Sequence, residues 1–98
     1  MKLRIKFTPS ASVDLDEIVV HIGENNPRAA VQIAERIVQR ISLLHEQPLI
    51  GRDGRHTGTR ELVVTGTRYI VVYRLNTTRQ FVEVLRIIHH AQQWPEEL

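Results

Sequence analysis

Residues 69–89, YIVVYRLNTTRQFVEVLRIIH, decide the fold. Two runs rich in valine, isoleucine and aromatic residues, Tyr69–Leu75 and Phe81–His89, flank the polar stretch Asn76-Thr77-Thr78-Arg79. Such runs bounded by turn residues read as strands, and so short a gap makes them an antiparallel hairpin. Thr65-Gly66-Thr67 separates Tyr69 from a third run, Arg60–Val64, which extends the hairpin to a meander. Before it, Pro48–Thr59 (PLIGRDGRHTGT) is a polar, glycine-rich loop.

The N-terminal half has a different period. Thr8-Pro9 and Asn26-Pro27 each place a capping side chain before a proline at the first helical position. Ala11, Leu15, Ile18, Val19 and Ile22 then recur at helical spacing, and Gly23 is expected to stop that helix. Asp14, Asp16 and Glu17 lie in its early turns, where the helix dipole favours acids. Ala30, Ala34, Ile37, Ile41 and Leu44 form the stripe of a second helix ending before Pro48. The short connection makes the two helices an antiparallel hairpin. Residues 2–7, KLRIKF, alternate Leu3, Ile5 and Phe7 against Lys2, Arg4 and Lys6, a half-buried strand with a basic outer face. The end, HAQQWPEEL, reads as a short helical turn broken by Pro95. The expected fold is α+β: one domain over residues 1–98, with a helical hairpin packed on one face of a twisted antiparallel sheet of about four strands.

Composition narrows the functional classes. With 42% hydrophobic and 24% charged residues among 98, the chain is an ordinary globule, not a disordered one. It has no apolar run of the ~18 residues a membrane span needs. The lack of cysteine removes disulfides and thiolate metal sites and fits a reducing, cytoplasmic setting. Of 13 basic residues only Lys2 and Lys6 are lysine. Seven arginines fall between Arg52 and Arg86 against Asp53, Glu61 and Glu83, so an anionic partner is expected at the C-terminal half. The net charge of +2 argues against a plain nucleic-acid-binding module built on that half.

Arg86 stands out because charge in a central strand is costly unless something uses it. If Thr77-Thr78 form a two-residue loop, Tyr69 falls opposite Arg86 and Tyr73 opposite Val82, grouping two tyrosines with an arginine; a three-residue loop reverses that parity. The alternative is an arginine that reaches water or pairs with an acid such as Glu61. Arg60 opens a strand just after the glycine-rich loop, where an anion could sit, or it pairs with Glu61 in solvent. His89 and His90 are adjacent, so on a strand they should point to opposite faces, which suits no shared metal; either could serve as a general acid or base. His21, His45 and His56 are scattered, and no metal or cofactor is expected. Gly51-Arg52-Asp53-Gly54-Arg55 lacks the lysine, hydroxyl and following helix of a nucleotide loop. Trp94 either covers the sheet or, exposed, stacks on a base.

In this order DLDEI, NPRAA, PLIGRDGR, GTRELVV, YIVVYR and VEVLRIIHHAQQW resemble the RelE/ParE superfamily of toxins from type II toxin–antitoxin modules, over residues 8–95. The resemblance implies two helices against an antiparallel sheet and a cognate antitoxin that wraps the toxin in a hetero-oligomer. It implies one of two targets. RelE-like members are ribosome-dependent mRNA endonucleases that use basic residues with a tyrosine or histidine near the C-terminus. ParE-like members block DNA gyrase without catalysis of their own. As an RNase, the chain would use Arg86 as a cation, Arg60 or Arg68 as a second, and His89 or His90 as acid or base; Arg68, Tyr69, Tyr73 and Trp94 are the candidate binding residues. The lysine cluster of the RNA-cutting members is missing, and Gln92 and Gln93 stand where their tyrosine is expected. That departure favours the ParE-like, gyrase-directed reading.

Overall fold

A computed structural model describes residues 2–98. Strand β1 (Arg4–Phe7) is followed by helices α1 (Pro9–Asn25) and α2 (Pro27–Ser42), and then by strands β2 (Arg52–Asp53), β3 (Arg60–Val63), β4 (Tyr69–Asn76) and β5 (Phe81–His89). Both helix starts act as read: Thr8 Oγ1 accepts from the Ala11 amide and Asn26 Oδ1 from the Ala29 amide. Gly23 does not stop α1, which runs on to Asn25. One interior glycine costs only about 1 kcal/mol, too little to end a helix packed along α2, and a Cβ at Gly23 would make an ordinary 3.6 Å contact with that of Ala30. Val19, expected on the buried stripe, is exposed.

The sheet has five strands, not about four, and is mixed, in the order β1-β5-β4-β3-β2. The extra strand is the pair Arg52–Asp53, antiparallel to Arg60 and Glu61 inside the expected loop. β1 lies parallel to β5, Arg4 beside Phe81 and Phe7 beside Val84. Periodicity marks a strand but not its partner, and the two helices between supply the crossover that parallel pairing needs. Past Phe7 that edge of β5 is closed by α1. The Thr8 amide bonds Val84 O, Thr8 Oγ1 donates to Leu85 O at 2.9 Å, and Asp14 Oδ2 accepts from the Ile87 amide.

Each face of the sheet has its own core. On the helical side Ile18, Ile37, Ile41 and Leu44 pack on Leu62, Val64, Val71, Tyr73, Val82, Val84 and Ile87, with Ile5 and Phe7 joining from β1 and Leu3 from just before it. Fully burying each such side chain contributes roughly 1.5–3 kcal/mol. The outer face holds a smaller cluster, Val72, Leu85 and Ile88, under Trp94. Trp94 thus covers the sheet, and Arg55 lies 3.7 Å above its ring. The segment after His89 forms a hydrogen-bonded turn, Gln92 amide to His89 O, not a helical one.

The β4–β5 hairpin also departs from the two-residue loop. Asn76 opposes Phe81, leaving Thr77–Gln80 as the loop with Gln80 at φ 55°, and the register shifts between Val72 and Tyr73. Val72 opposes Arg86, Tyr73 opposes Val84, and the extra residue, Leu85, is a β-bulge. Tyr69 therefore sits opposite His89, not Arg86, and Tyr73 opposite Val84, not Val82.

Candidate functional site

A cleft of about 510 Å³ opens between α1 and the far end of β4 and β5, lined by Asp14, Glu17, His21, Tyr69, Arg86 and His89 among others. Its geometry starts at Arg86. The guanidinium is held bidentately by Asp14, Nε to Oδ2 at 2.7 Å and Nη2 to Oδ1 at 3.0 Å. The side chains are only 20% and 11% exposed. The hydrogen bond to Asp14 raises the Arg86 pKa above its ordinary value, against the opposing effect of burial. Arg86 is therefore not the open centre of a cationic patch, and its acid is Asp14, not Glu61. Glu61, 3% exposed on the outer face, is taken by Arg52 at 3.1 Å and by the Arg55 amide at 2.8 Å.

Asp14 is the residue that sequence reasoning missed. It lies beyond the first turn of α1, where a dipole account has little force. A usable signal was its position, three residues after Ala11 and four before Ile18, both buried. An acid on an apolar stripe requires a buried partner, and Arg86 is the cation whose strand position has the same need.

His89 forms the floor of the cleft, edge-on to Tyr69 with ring centroids 5.4 Å apart. His89 and His90 do not diverge to opposite faces: their rings stack at 4.9 Å, because β5 ends at His89 and the chain turns. Burial first, then the neighbouring His90 and Arg68, lower the His89 pKa below 6.5; burial raises that of Tyr69. At neutral pH His89 is an uncharged imidazole able to accept a proton. The unfolded chain then binds that proton more readily, so the stability His89 contributes is present above pH 6.5 and lost as pH falls. Proton NMR titration of the folded protein should give His89 a midpoint below 6.5; a midpoint at or above that value contradicts the assignment.

A second opening lies beside the first, lined by Arg52, Val63, Arg68, Tyr69, Ile70 and His90. The His90 amide donates to Arg68 O at 2.8 Å, tying the C-terminal turn to the β3–β4 turn. Arg68, Tyr69, His89 and His90 thus come together at one end of the sheet.

Three candidates do not join them: Trp94, which lies over Val72, Leu85 and Ile88, and Arg60 and Tyr73. Arg60 opposes Tyr73, four residues along β4 from the Tyr69–His89 pair, a separation of about 13 Å. Its guanidinium bonds Gly51 O at 2.8 Å and Leu49 O at 3.3 Å, clamping the loop. Tyr73 is 0% exposed, so it offers no binding surface. Its hydroxyl donates to Pro48 O at 2.7 Å and accepts from the Gly51 amide at 2.9 Å. Burial raises its pKa, against the Gly51 amide and the Arg60 charge. Among the described residues no group of three or more His, Asp or Glu could hold a metal ion, and no helix is long and apolar enough to cross a membrane.

A helical hairpin on one face of a small mixed sheet with an N-terminal strand is the RelE/ParE-like fold. The chain belongs to the family described as ParE toxin of type II toxin-antitoxin system, parDE, whose model matches residues 5–94. It is 41% identical over 95 residues to Y4kP, a candidate toxin of Sinorhizobium fredii (strain NBRC 101917 / NGR234), covering 97% of this chain and 96% of that one. The fold is that of a chain in the chromosomal ParDE toxin–antitoxin system of P. aeruginosa, with a TM-score of 0.81 at 24% identity over 90% of this chain and 96% of the other. It is also similar to a chain of the RelBE2 toxin–antitoxin complex of Mycobacterium tuberculosis, with a TM-score of 0.62 at 26% identity over 91% and 99%.

Proposed function

We propose that this toxin arrests growth by binding DNA gyrase in the cytoplasm and that a cognate antitoxin holds it inactive. The observation that carries this reading is the dispersal of the RNase candidates. The Arg86 guanidinium is occupied by Asp14 and that of Arg60 by two backbone carbonyls. Cleavage by a 2′-hydroxyl needs cations free to stabilise a developing phosphorane beside an acid and a base. A binding surface needs only shape and charge. The antitoxin is assigned to the outer side of the helical hairpin, where Val13 and Val20 on α1 and Val31 and Val38 on α2 are at least half exposed at seven-residue spacing, the pattern an amphipathic helix can cover.

Purified toxin should stop supercoiling of relaxed plasmid by gyrase, and its induction should give filamentous cells with DNA damage. Supercoiling that proceeds at a tenfold excess of toxin rules the gyrase reading out.

One specific observation favours a second reading, a ribosome-dependent mRNA endonuclease. The uncharged His89 lies beside Tyr69 and His90, and Arg68 is close enough to lower its pKa. In that case Arg68, not Arg86 or Arg60, supplies the cation, and codon-phased cuts should appear on ribosome-bound message after induction.

A further inference from the structure

At the opposite end of the sheet from His89 lies a group of cations that neither reading uses. Leu3, Ile5 and Phe7 pack on the helical side, so alternation puts Arg4 and Lys6 on the outer face, where Lys6 Nζ lies 4.6 Å from the centroid of the Phe81 ring. Register then builds rows across three strands. Arg4, Phe81 and Asn76 form one; Lys6, Glu83 and Arg74 form the next. Arg79 stands exposed in the adjoining turn, where Asn76 Oδ1 accepts from its amide. Arg4, Lys6, Arg74 and Arg79 are all exposed, and the one carboxylate among them, Glu83, is taken by Arg74 at 2.9 Å. Among the described residues, the charged ends of Arg4, Lys6 and Arg79 have no carboxylate within 4.0 Å. The whole-chain charge of +2 hides this local excess.

We infer that this end of the sheet binds the phosphodiester backbone of nucleic acid, independently of sequence. Like charges left unpaired on rigid strands repel one another, and a polyanion relieves that repulsion. Strand geometry spaces Arg4 and Lys6 of β1 about 6.6 Å apart on one face. The clefts at Arg86, Arg40, Val13, Arg68 and Ser42 include none of Arg4, Lys6, Arg74 and Arg79. A peptide bound along a sheet takes its specificity from side-chain pockets, whereas phosphates need only cations and donors. The surface therefore suits a repeating backbone charge better than an acidic peptide. It lies eight residues along β5 from His89, about 26 Å, so it is separate from the cleft.

The test needs neither gyrase nor ribosomes, so its failure is distinct from failure of either functional reading. Full-length toxin is titrated by fluorescence anisotropy into a labelled 20-base-pair DNA duplex, an RNA hairpin of similar size, and a poly-glutamate peptide of matched charge. With about three phosphates neutralised, affinity for nucleic acid should fall roughly 40-fold between 50 and 200 mM KCl. The double variant Arg4→Gln/Lys6→Gln should bind at least tenfold more weakly at 50 mM and lose about two-thirds of the salt slope. Arg28→Gln/Arg36→Gln, which removes the same charge from exposed positions on α2, should change binding less than threefold. Circular dichroism checks that both variants are folded. Binding confined to DNA or to RNA supports the site and identifies its source. Equal losses for the two variants, tighter binding to the peptide, or no nucleic-acid binding at 50 mM overturns it.

Discussion

Replacing Asp14 by alanine should cost about 3 kcal/mol of folding free energy, read as a lowered urea midpoint at constant slope. Removing one member of a buried ion pair typically costs 3–5 kcal/mol, because the remaining charge is stranded in low dielectric. The partial exposure of Arg86 softens that, since its guanidinium can swing towards water. The Ile87 amide adds a loss of about 1–3 kcal/mol, because Asp14 is its acceptor at the strand edge. The pair need not favour folding over an apolar alternative. Asp14→Leu/Arg86→Met should therefore recover much of the loss, and the double-mutant cycle should show coupling of at least 1 kcal/mol. Additive effects in that cycle would mean that the two side chains do not share one interaction. The same series bears on function. Arg86→Gln weakens an RNase only if that guanidinium reaches substrate; under the gyrase reading its effect on inhibition tracks stability alone.

Tyr73→Ala should be the other severe change, at about 3–5 kcal/mol, the range for deleting a buried aromatic ring. In a domain whose total stability is typically 5–15 kcal/mol, that leaves little folded margin. Tyr73→Phe isolates the hydroxyl. It keeps the ring but removes the acceptor of the Gly51 amide and the donor to Pro48 O, and should cost about 1–3 kcal/mol. Gly51→Ala attacks the same contact from the other side, since its new Cβ would lie 2.7 Å from Tyr73 Cε1 and Oη. Such overpacking costs typically 1–3 kcal/mol. Chemical denaturation of the three variants checks the order. A Phe variant as stable as the parent but unable to inhibit growth would instead make the hydroxyl a contact with the target.

What the sequence revealed and what it hid follow from the range of each interaction. The helix starts were legible at Thr8-Pro9 and Asn26-Pro27 because capping is settled within three residues. The three long strands were legible because β-branched runs between turn residues are local signals. The parallel place of β1 was not, since Arg4 meets Phe81 from the other end of the chain. The bulge at Leu85 shifted the facing of Tyr69 and Arg86, and no composition rule reports one extra residue in a ladder. At the site, Tyr69 and His89 were legible as candidates but their contact was not. Arg60 and Tyr73 carried the right chemistry for a site, yet the loop consumed both. The Asp14–Arg86 pair spans 72 positions, so only the cost of each charge in its own element pointed to it.

The seating of β5 between β1 and β4 also sets the order in which the sheet can close. The strand on which both neighbours assemble is made after either of them, and non-local pairings of this kind form slowly. At 5–20 residues per second, the stretch from Arg4 to Phe81 takes about 4–15 s to translate, during which β1 has no strand to pair with. Until β5 is made, β1 and β4 each carry an open edge, the state in which a nascent chain is most exposed to mispairing.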